Sequence, residues 1–333
     1  MILKKVLNIS CLYCPVQYLQ EGIFFSLIDY RNNYFTSDDP NKIIEFYNGF
    51  KNREQLIQWM KERPKGVAKI HEIDGDKDII VVIPTSDFNG KFAKECRENI
   101  FKGLYIVFVE SGGRGDFYFN FAHNVNVGIK KAMEYNPKWI IVSNDDMCKI
   151  DVVSILIEKL KMLDNRNINV VFTKPSNYHS HIVRLAKPNL LFYLYLYISN
   201  KNFSIKLLGV TRTNDLKVTY DQVPYDSKIS YLFKKGYRFI NYESFGIFSS
   251  NYIKSFNCEL LDETFINAGE DVDLSLKLSL NPEKTATIDY KIGNYIGGTL
   301  GNGTQRALRT HAGRIYLNYK WDKIIDDLLV NKD

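Results

Sequence analysis

Three short, unbroken apolar runs, each closed by polar or acidic residues, constrain this chain more than any other feature. They are Asp78-Ile-Ile-Val-Val-Ile-Pro-Thr85, Leu104-Tyr-Ile-Val-Phe-Val-Glu110 and Trp139-Ile-Ile-Val-Ser143. A strand with one wet face would alternate apolar and polar residues. An unbroken run implies a strand covered on both faces, as in a parallel sheet. Helical segments separate the runs. One is expected over 90–101, and a second carries the stripe Phe117, Phe121, Val125, Ile129 and Met133, closed by Pro137. A helix over 151–163 and a strand over 169–173 continue the alternation. Alternating β and α units predict an α/β fold, a mostly parallel Rossmann-like sheet flanked by helices.

The chain has 333 residues, enough for one large or two modest domains at ~100–200 residues each. Residues 1–75 read as an N-terminal extension with a helix over 42–63 that stops at Pro64, and no chemical motif. Residues 76–175 hold the regular βα units. Residues 176–290 are less regular, with strand-like pieces near 205–211 and 237–248 and a helix starting at Glu270-Asp271. The tail, 291–333, is basic and reads as helical and amphipathic from 306 to 330.

Net charge is +6, from 44 basic and 38 acidic residues. Without a clustered basic face it argues against a nucleic acid partner; it suits a phosphate-bearing small molecule or an anionic membrane surface. The 22 tyrosines and 21 phenylalanines suit carbohydrate or interface contacts. Five cysteines, at 11, 14, 96, 148 and 258, form no disulfide framework. Cys11 and Cys14 lack a second pair to complete a zinc site, so reduced thiols in the cytoplasm are expected. No signal-peptide core follows Lys4 and Lys5. The most apolar run, 190–198, falls short of the ~20 residues that cross a bilayer. It reads first as a buried element, and second as an aromatic surface for peripheral membrane contact with a lipid-linked acceptor.

Ligands of open α/β sheets bind beyond the carboxyl ends of the strands. Those ends read Pro84-Thr85-Ser86-Asp87, Glu110-Ser111-Gly112 and Asn144-Asp145-Asp146. Carboxylates there suit Mg²⁺ or Mn²⁺, which take the rest of their oxygens from phosphate and water; a solvated turn gives the same pattern. Glu270-Asp271 taken alone reads as the acidic first turn of a helix. His179 and His181 read as loop or capping residues. The chain has no Gly-x-Gly-x-x-Gly after the first strand, no Gly-Lys-Ser/Thr loop and no Gly-x-Ser-x-Gly elbow.

The order of these pieces resembles the inverting family 2 glycosyltransferases with a GT-A fold. Ile79-Ile-Val-Val-Ile-Pro-Thr85 is similar to that family's opening strand, and Glu110 stands where it usually has Asp. Asn126-Val-Gly128-Ile129 resembles its Asn-x-Gly helix, and Trp139 to Asp146 resembles the strand entering its Asp-x-Asp motif. Leu261-Asp-Glu-Thr-Phe265 with Gly269-Glu-Asp-Val-Asp-Leu274 is similar to its FDE…EDVDL stretch. The resemblance spans roughly 78–280.

The resemblance implies a nucleotide-sugar-binding half over 76–175 and an acceptor-binding half over 176–290. The donor would be a nucleotide-diphosphate sugar, the acceptor a carbohydrate, lipid-linked or protein hydroxyl. Pro84, Thr85, Glu110, Asn126, Asn144 and Asp145 would contact the nucleotide. Asp146 would hold Mg²⁺ or Mn²⁺. Asp271 would be the general base, with Glu270 beside it. Arg306 and Arg309 would contact the diphosphate. Asn144 stands in place of the usual first Asp, and His311 is the remaining candidate for the family's metal-binding His. Two other readings compete: a nucleotidyltransferase, which would need a Gly-rich, Arg-bearing loop after the first strand, and a degenerate GT-A binding scaffold.

Overall fold

The structure is a computed structural model that describes residues 37–164, 166–174, 180–187, 219–223, 236–295 and 310–330. Its centre is a seven-stranded sheet in the order β1-β3-β2-β4-β10-β6-β11. These strands are β1 (Lys69–Ile73), β2 (Asp76–Thr85), β3 (Leu104–Glu110), β4 (Trp139–Ser143), β6 (Val170–Thr173), β10 (Phe245–Ser249) and β11 (Thr285–Ile288). β2 pairs in parallel with both β3 and β4, and β6 with β11. β1 runs antiparallel to β3, and β10 runs antiparallel to β4 and β6. The sheet is therefore mixed, where the apolar runs alone predicted a mostly parallel one. β10 is as apolar as its neighbours, but it enters from a tight turn and not from a crossover helix. An apolar run reports burial, not direction.

The chain leaves β2 for β3 on one side and then crosses to β4 on the other. The carboxyl end of β2 is thus a topological switch point, where a crevice opens between diverging connections.

Helices cover both faces. On one, α4 (Phe121–Met133) sets Ala122, Val125 and Ile129 against Ile80, Val82, Val107 and Val142. Gly128 permits the close approach: a Cβ there would lie 2.4 Å from Val82 Cγ1 and 2.9 Å from Val109 Cγ2. On the other face, α3 (Lys91–Glu95) with its π-helical continuation Cys96–Ile100, and α5 (Val153–Lys161), bury Ile79, Val81, Ile106 and Ile141.

A third core lies outside the sheet. It joins α1 (Pro40–Asn48) and α2 (Arg53–Glu62) to α7 (Glu270–Ser279), α8 (His311–Lys320) and α9 (Asp322–Val330). It also takes Val183, Leu185 and Phe239 from a small sheet of β7 (His181–Ala186), β8 (Thr219–Val223) and β9 (Tyr237–Asn241). A two-stranded ladder pairs β5 (Met147–Lys149) with β12 (Ile292–Asn294), and the short α6 (Ser250–Lys254) follows β10.

Several expectations shift. The helix over 42–63 is two helices, because the Asn52 side chain accepts from Gln55 N at 3.0 Å and caps a fresh start. α4 begins at Phe121, not Phe117: Asn120 caps it, and Phe117 is exposed ahead of it. The strand over 237–248 is β9 and β10, broken where Glu243 adopts φ 44°. The boundary at 75 falls on the turn between β1 and β2, inside the sheet region. Cys11, Cys14, His179, 190–198, 205–211, Arg306 and Arg309 lie outside the described residues. Among the described residues no helix is long and apolar enough to cross a membrane.

Candidate functional site at the strand tips

The tips of β2, β3 and β4 meet at the switch point. Pro84 and Thr85 oppose Val109 and Glu110 in the β2–β3 register. Thr85 Oγ1 donates to Asp145 Oδ2 at 2.7 Å, and Ser111 N donates to Thr85 O at 3.0 Å. Asp145 and Asp146 are both buried. Two adjacent carboxylates away from bulk water repel each other and favour cationic company. Cys96 feels them: burial, then Asp145 and Asp146, push its thiol well above the usual range. Cys96 Sγ donates to Asp145 O at 3.2 Å, which leaves this thiol an inert packing group.

Glu110 turns toward the edge strand. Its carboxylate accepts from Phe88 N at 2.9 Å and pairs with His71 Nε2 at 2.8 Å. These contacts, the backbone N–H first, hold its pKa below the usual carboxylate value. The His71 ring stacks on Phe88 with centroids 4.0 Å apart. A charged acceptor and a flat aromatic ledge thus sit beside one another at this tip.

Asn126 lies elsewhere. It is 1% exposed, and its amide holds the 261–263 loop: Nδ2 donates to Leu261 O at 2.8 Å and Oδ1 accepts from Leu261 N at 3.0 Å. Its contacts are with that loop and not with the tip residues. The same loop and the residues after it receive Asn120 Nδ2 on Glu263 O and Phe265 O and Lys65 Nζ on Glu263 O, and His123 Nδ1 pairs with Glu263 Oε2.

The second part of the site is the start of α7. Gly269 precedes it at φ 96°, a conformation that L side chains resist, and delivers Glu270 and Asp271 at the first turn. Asn241 Nδ2 donates to Asp271 Oδ2 at 2.6 Å. Asp271 keeps some surface open, yet burial of its carboxyl, reinforced by Glu243, outweighs the Asn241 bond and raises its pKa to about 6. Asp273 serves the fold instead, since Trp321 Nε1, Lys320 Nζ and Lys277 Nζ all converge on it.

The turn between β9 and β10 joins the two parts. Ser244 O accepts from Asn144 N at 3.0 Å, and Asn294 Nδ2 donates to Ser244 Oγ at 3.2 Å. Tyr295 N donates to Asp146 O at 2.7 Å. One residue earlier in the turn lies Glu243, whose charge adds to burial in raising the pKa of Asp271. Asn144, through Ser244, and Asp146, through Tyr295 and its neighbour Asn294, are thereby linked to the turn that follows Asn241, the residue that holds Asp271.

His311 sits at the start of α8 with its ring edge-on to Tyr47 at 6.1 Å. Burial, then Arg314, lowers its pKa to about 3, so it is neutral. Among the described residues no cluster of three or more His, Cys, Asp or Glu side chains forms a metal cage. The donor set at the β4 tip is a pair of hard carboxylates, which fits a Mg²⁺-like ion completing its shell from phosphate and water.

No family model matches the chain, and no characterised protein matches it in sequence. Sequence alone gave no pointer to His71, Asn241 or Glu243, and it placed His181 in a loop. His71, Asn241 and Glu243 belong to no spaced motif, and strand pairing together with the turn after β9 brings them to the site.

Proposed function

We propose that this chain is an inverting glycosyltransferase of the GT-A type, moving a sugar from a nucleotide-diphosphate donor to an acceptor hydroxyl. The observation that carries the reading is the β9–β10 turn, which ties the acidic tip of β4 to Asp271. A donor-side carboxylate pair and an acceptor-side base of raised pKa are what such a transfer requires.

The nucleoside would lie across the β2 and β3 tips, near Thr85 and the His71–Phe88 ledge. A Mg²⁺ or Mn²⁺ ion held by Asp146, beside Asp145, would supply positive charge to the leaving diphosphate. Asp271, ionised at pH 7, would take the proton of the acceptor hydroxyl as its oxygen attacks the anomeric carbon. The bond to the diphosphate breaks on the opposite face, so the configuration inverts. A base whose pKa approaches the working pH suits this role. Asn241 would hold one carboxylate oxygen and leave the other for the acceptor. Asn126 would act at a distance by fixing the 261–263 loop.

The test is turnover of a nucleotide-sugar panel, read by mass spectrometry, with wild type and Asp271→Asn. The expected result is transfer or slow donor hydrolysis by wild type and a loss of ~10²–10⁴-fold in the variant, with donor affinity retained. A folded variant that matches wild type would remove Asp271 as base. Donor binding without turnover by either protein would favour the scaffold reading.

A further inference from the structure

Glu243 occupies a left-handed backbone position, φ 44°, between β9 and β10. Gly or Asn ordinarily takes such a position, and a larger L-residue there is disfavoured by roughly 1–2 kcal/mol. A Glu that keeps this conformation points to a use for its side chain. That side chain is anchored: His181 Nε2 lies 2.5 Å from Glu243 Oε2. His181 is the cross-strand partner of Asn241, whose Nδ2 holds Asp271 Oδ2 at 2.6 Å. Asn241 is 2% exposed, so this bond is shielded from competing water. β7 and β9 thus bring Asn241 onto the carboxylate of Asp271 and, through His181, anchor Glu243 just past the end of the same strand.

We propose that Asn241 and Glu243 are positioning residues for Asp271: Asn241 fixes the orientation of its carboxylate, and Glu243, anchored by His181, acts on its charge. The proposal rests on the reading of Asp271 as the base. A like charge nearby disfavours the ionised carboxylate and makes it a stronger proton acceptor, as the raised pKa of about 6 agrees. The hydrogen bond from Asn241 works in the other direction, so the pair sets a balance.

Tyr242 lies fully buried between Asn241 and Glu243, its hydroxyl pushed up by burial and then by Asp271. Glu270 and Asp273 share the helix, and the charge of Asp273 is met by Lys277 and Lys320. α8, which carries His311 and Arg314, meets the segment ahead of α7 where Gly313 packs against Ala268.

Two measurements test this. The first is a ¹³Cγ NMR titration of aspartate-labelled protein, which needs no substrate. Glu243→Gln should lower the Asp271 midpoint by about one pH unit, and Asn241→Leu should raise it. Glu243→Asn suits the left-handed backbone and removes the charge, so it should fold at least as well as wild type and lower the midpoint equally. The second is the pH profile of sugar transfer. Its acid limb should move to lower pH in both Glu243 variants, with a lower plateau. A merely structural role would scale the rate at every pH and leave the limb in place. An Asp271 midpoint unchanged in both Glu243 variants overturns the proposal. A midpoint that moves while Asp271→Asn still transfers sugar upholds the relationship and removes only the assignment of Asp271 as base.

Discussion

The ammonium of Lys320 lies 2.9 Å from Oδ2 of Asp273, a residue 1% exposed to solvent. The same ammonium reaches Asp262 at 2.5 Å, and the neighbouring Trp321 Nε1 donates to Asp273 Oδ1 at 2.8 Å. α8 is thereby fastened to α7 two residues past Asp271, and to the 261–263 loop. Among the acidic residues of Glu270-Asp-Val-Asp273, Asp273 is held by the fold, whereas Asp271 keeps some surface open.

Removing the cation should therefore cost stability. Lys320→Met keeps the apolar stem and leaves Asp262 without its cation, while buried Asp273 keeps Lys277 at 3.2 Å and the Trp321 N–H. Losing a hydrogen bond to a charged group costs ~1.5–3 kcal/mol. The expected outcome in urea denaturation is a loss in that range, with an unchanged dependence on denaturant. A loss below ~1 kcal/mol would show that solvent screens the pair.

The same clamp predicts an acid transition. Burial would raise the Asp262 pKa, but the Lys320 bond and charge more than reverse this and hold it at about 2. An unfolded Asp titrates near ~3.9. A depressed folded value means stability that is present above about pH 4 and lost as pH falls toward 2. Asp271 has the opposite sign: its raised value means stability that is lost as pH rises from about 4 to 6. Asp262→Asn should flatten the limb below pH 4, and Asp271→Asn the slope between 4 and 6. Thermal melts across pH 2–7 separate the two.

Gly128 should tolerate no side chain. Alanine would gain up to ~1 kcal/mol of helix propensity. Its Cβ, however, would meet Val82 Cγ1 at 2.4 Å, inside a sheet core that cannot yield. Overpacking costs ~1–3 kcal/mol, so Gly128→Ala should lower the melting temperature. Val82→Ala added to it should recover part of the loss, because the two positions share one space. Simple additivity in the double variant would contradict the close approach.

How much of this was legible in the sequence depends on the range of the interaction. β2, β3 and β4 were readable, because burial on both faces leaves an unbroken apolar run. The start of α7 was readable from its acidic turn. Thr85 and Asp145 came together, and Glu110 stands opposite Thr85 in the register, because strand ends meet wherever strands run parallel. The direction of β10 was not readable, since Phe245-Gly-Ile-Phe-Ser249 looks the same in either sense. Asn241, Glu243 and His181 were hidden for another reason: their partnership arises only when β7 pairs with β9 in one register. The Asn-x-Gly segment was visible, but its roles were not. Gly128 serves helix-to-sheet contact and Asn126 holds a loop.

Asp146 provides the sharpest test of the donor side. It is 7% exposed at the end of β4, beside Asp145, whose Oδ2 is taken by Thr85. A divalent ion bridging this tip to a diphosphate would need Asp146 more than Asp145, because Thr85 already occupies one Asp145 oxygen. Asp146→Ala should weaken nucleoside diphosphate binding in Mn²⁺ by at least ~10-fold, on the order of 1.4 kcal/mol. In EDTA the two proteins should bind alike or the variant slightly better, since a carboxylate repels phosphate once no cation stands between them. Calorimetry with uridine and guanosine diphosphates, each in both conditions, reads the difference directly. Equal affinities of wild type and variant in Mn²⁺ would mean that Asp146 is no ligand. An equal loss in Mn²⁺ and EDTA would mean that it shapes the tip without holding a metal.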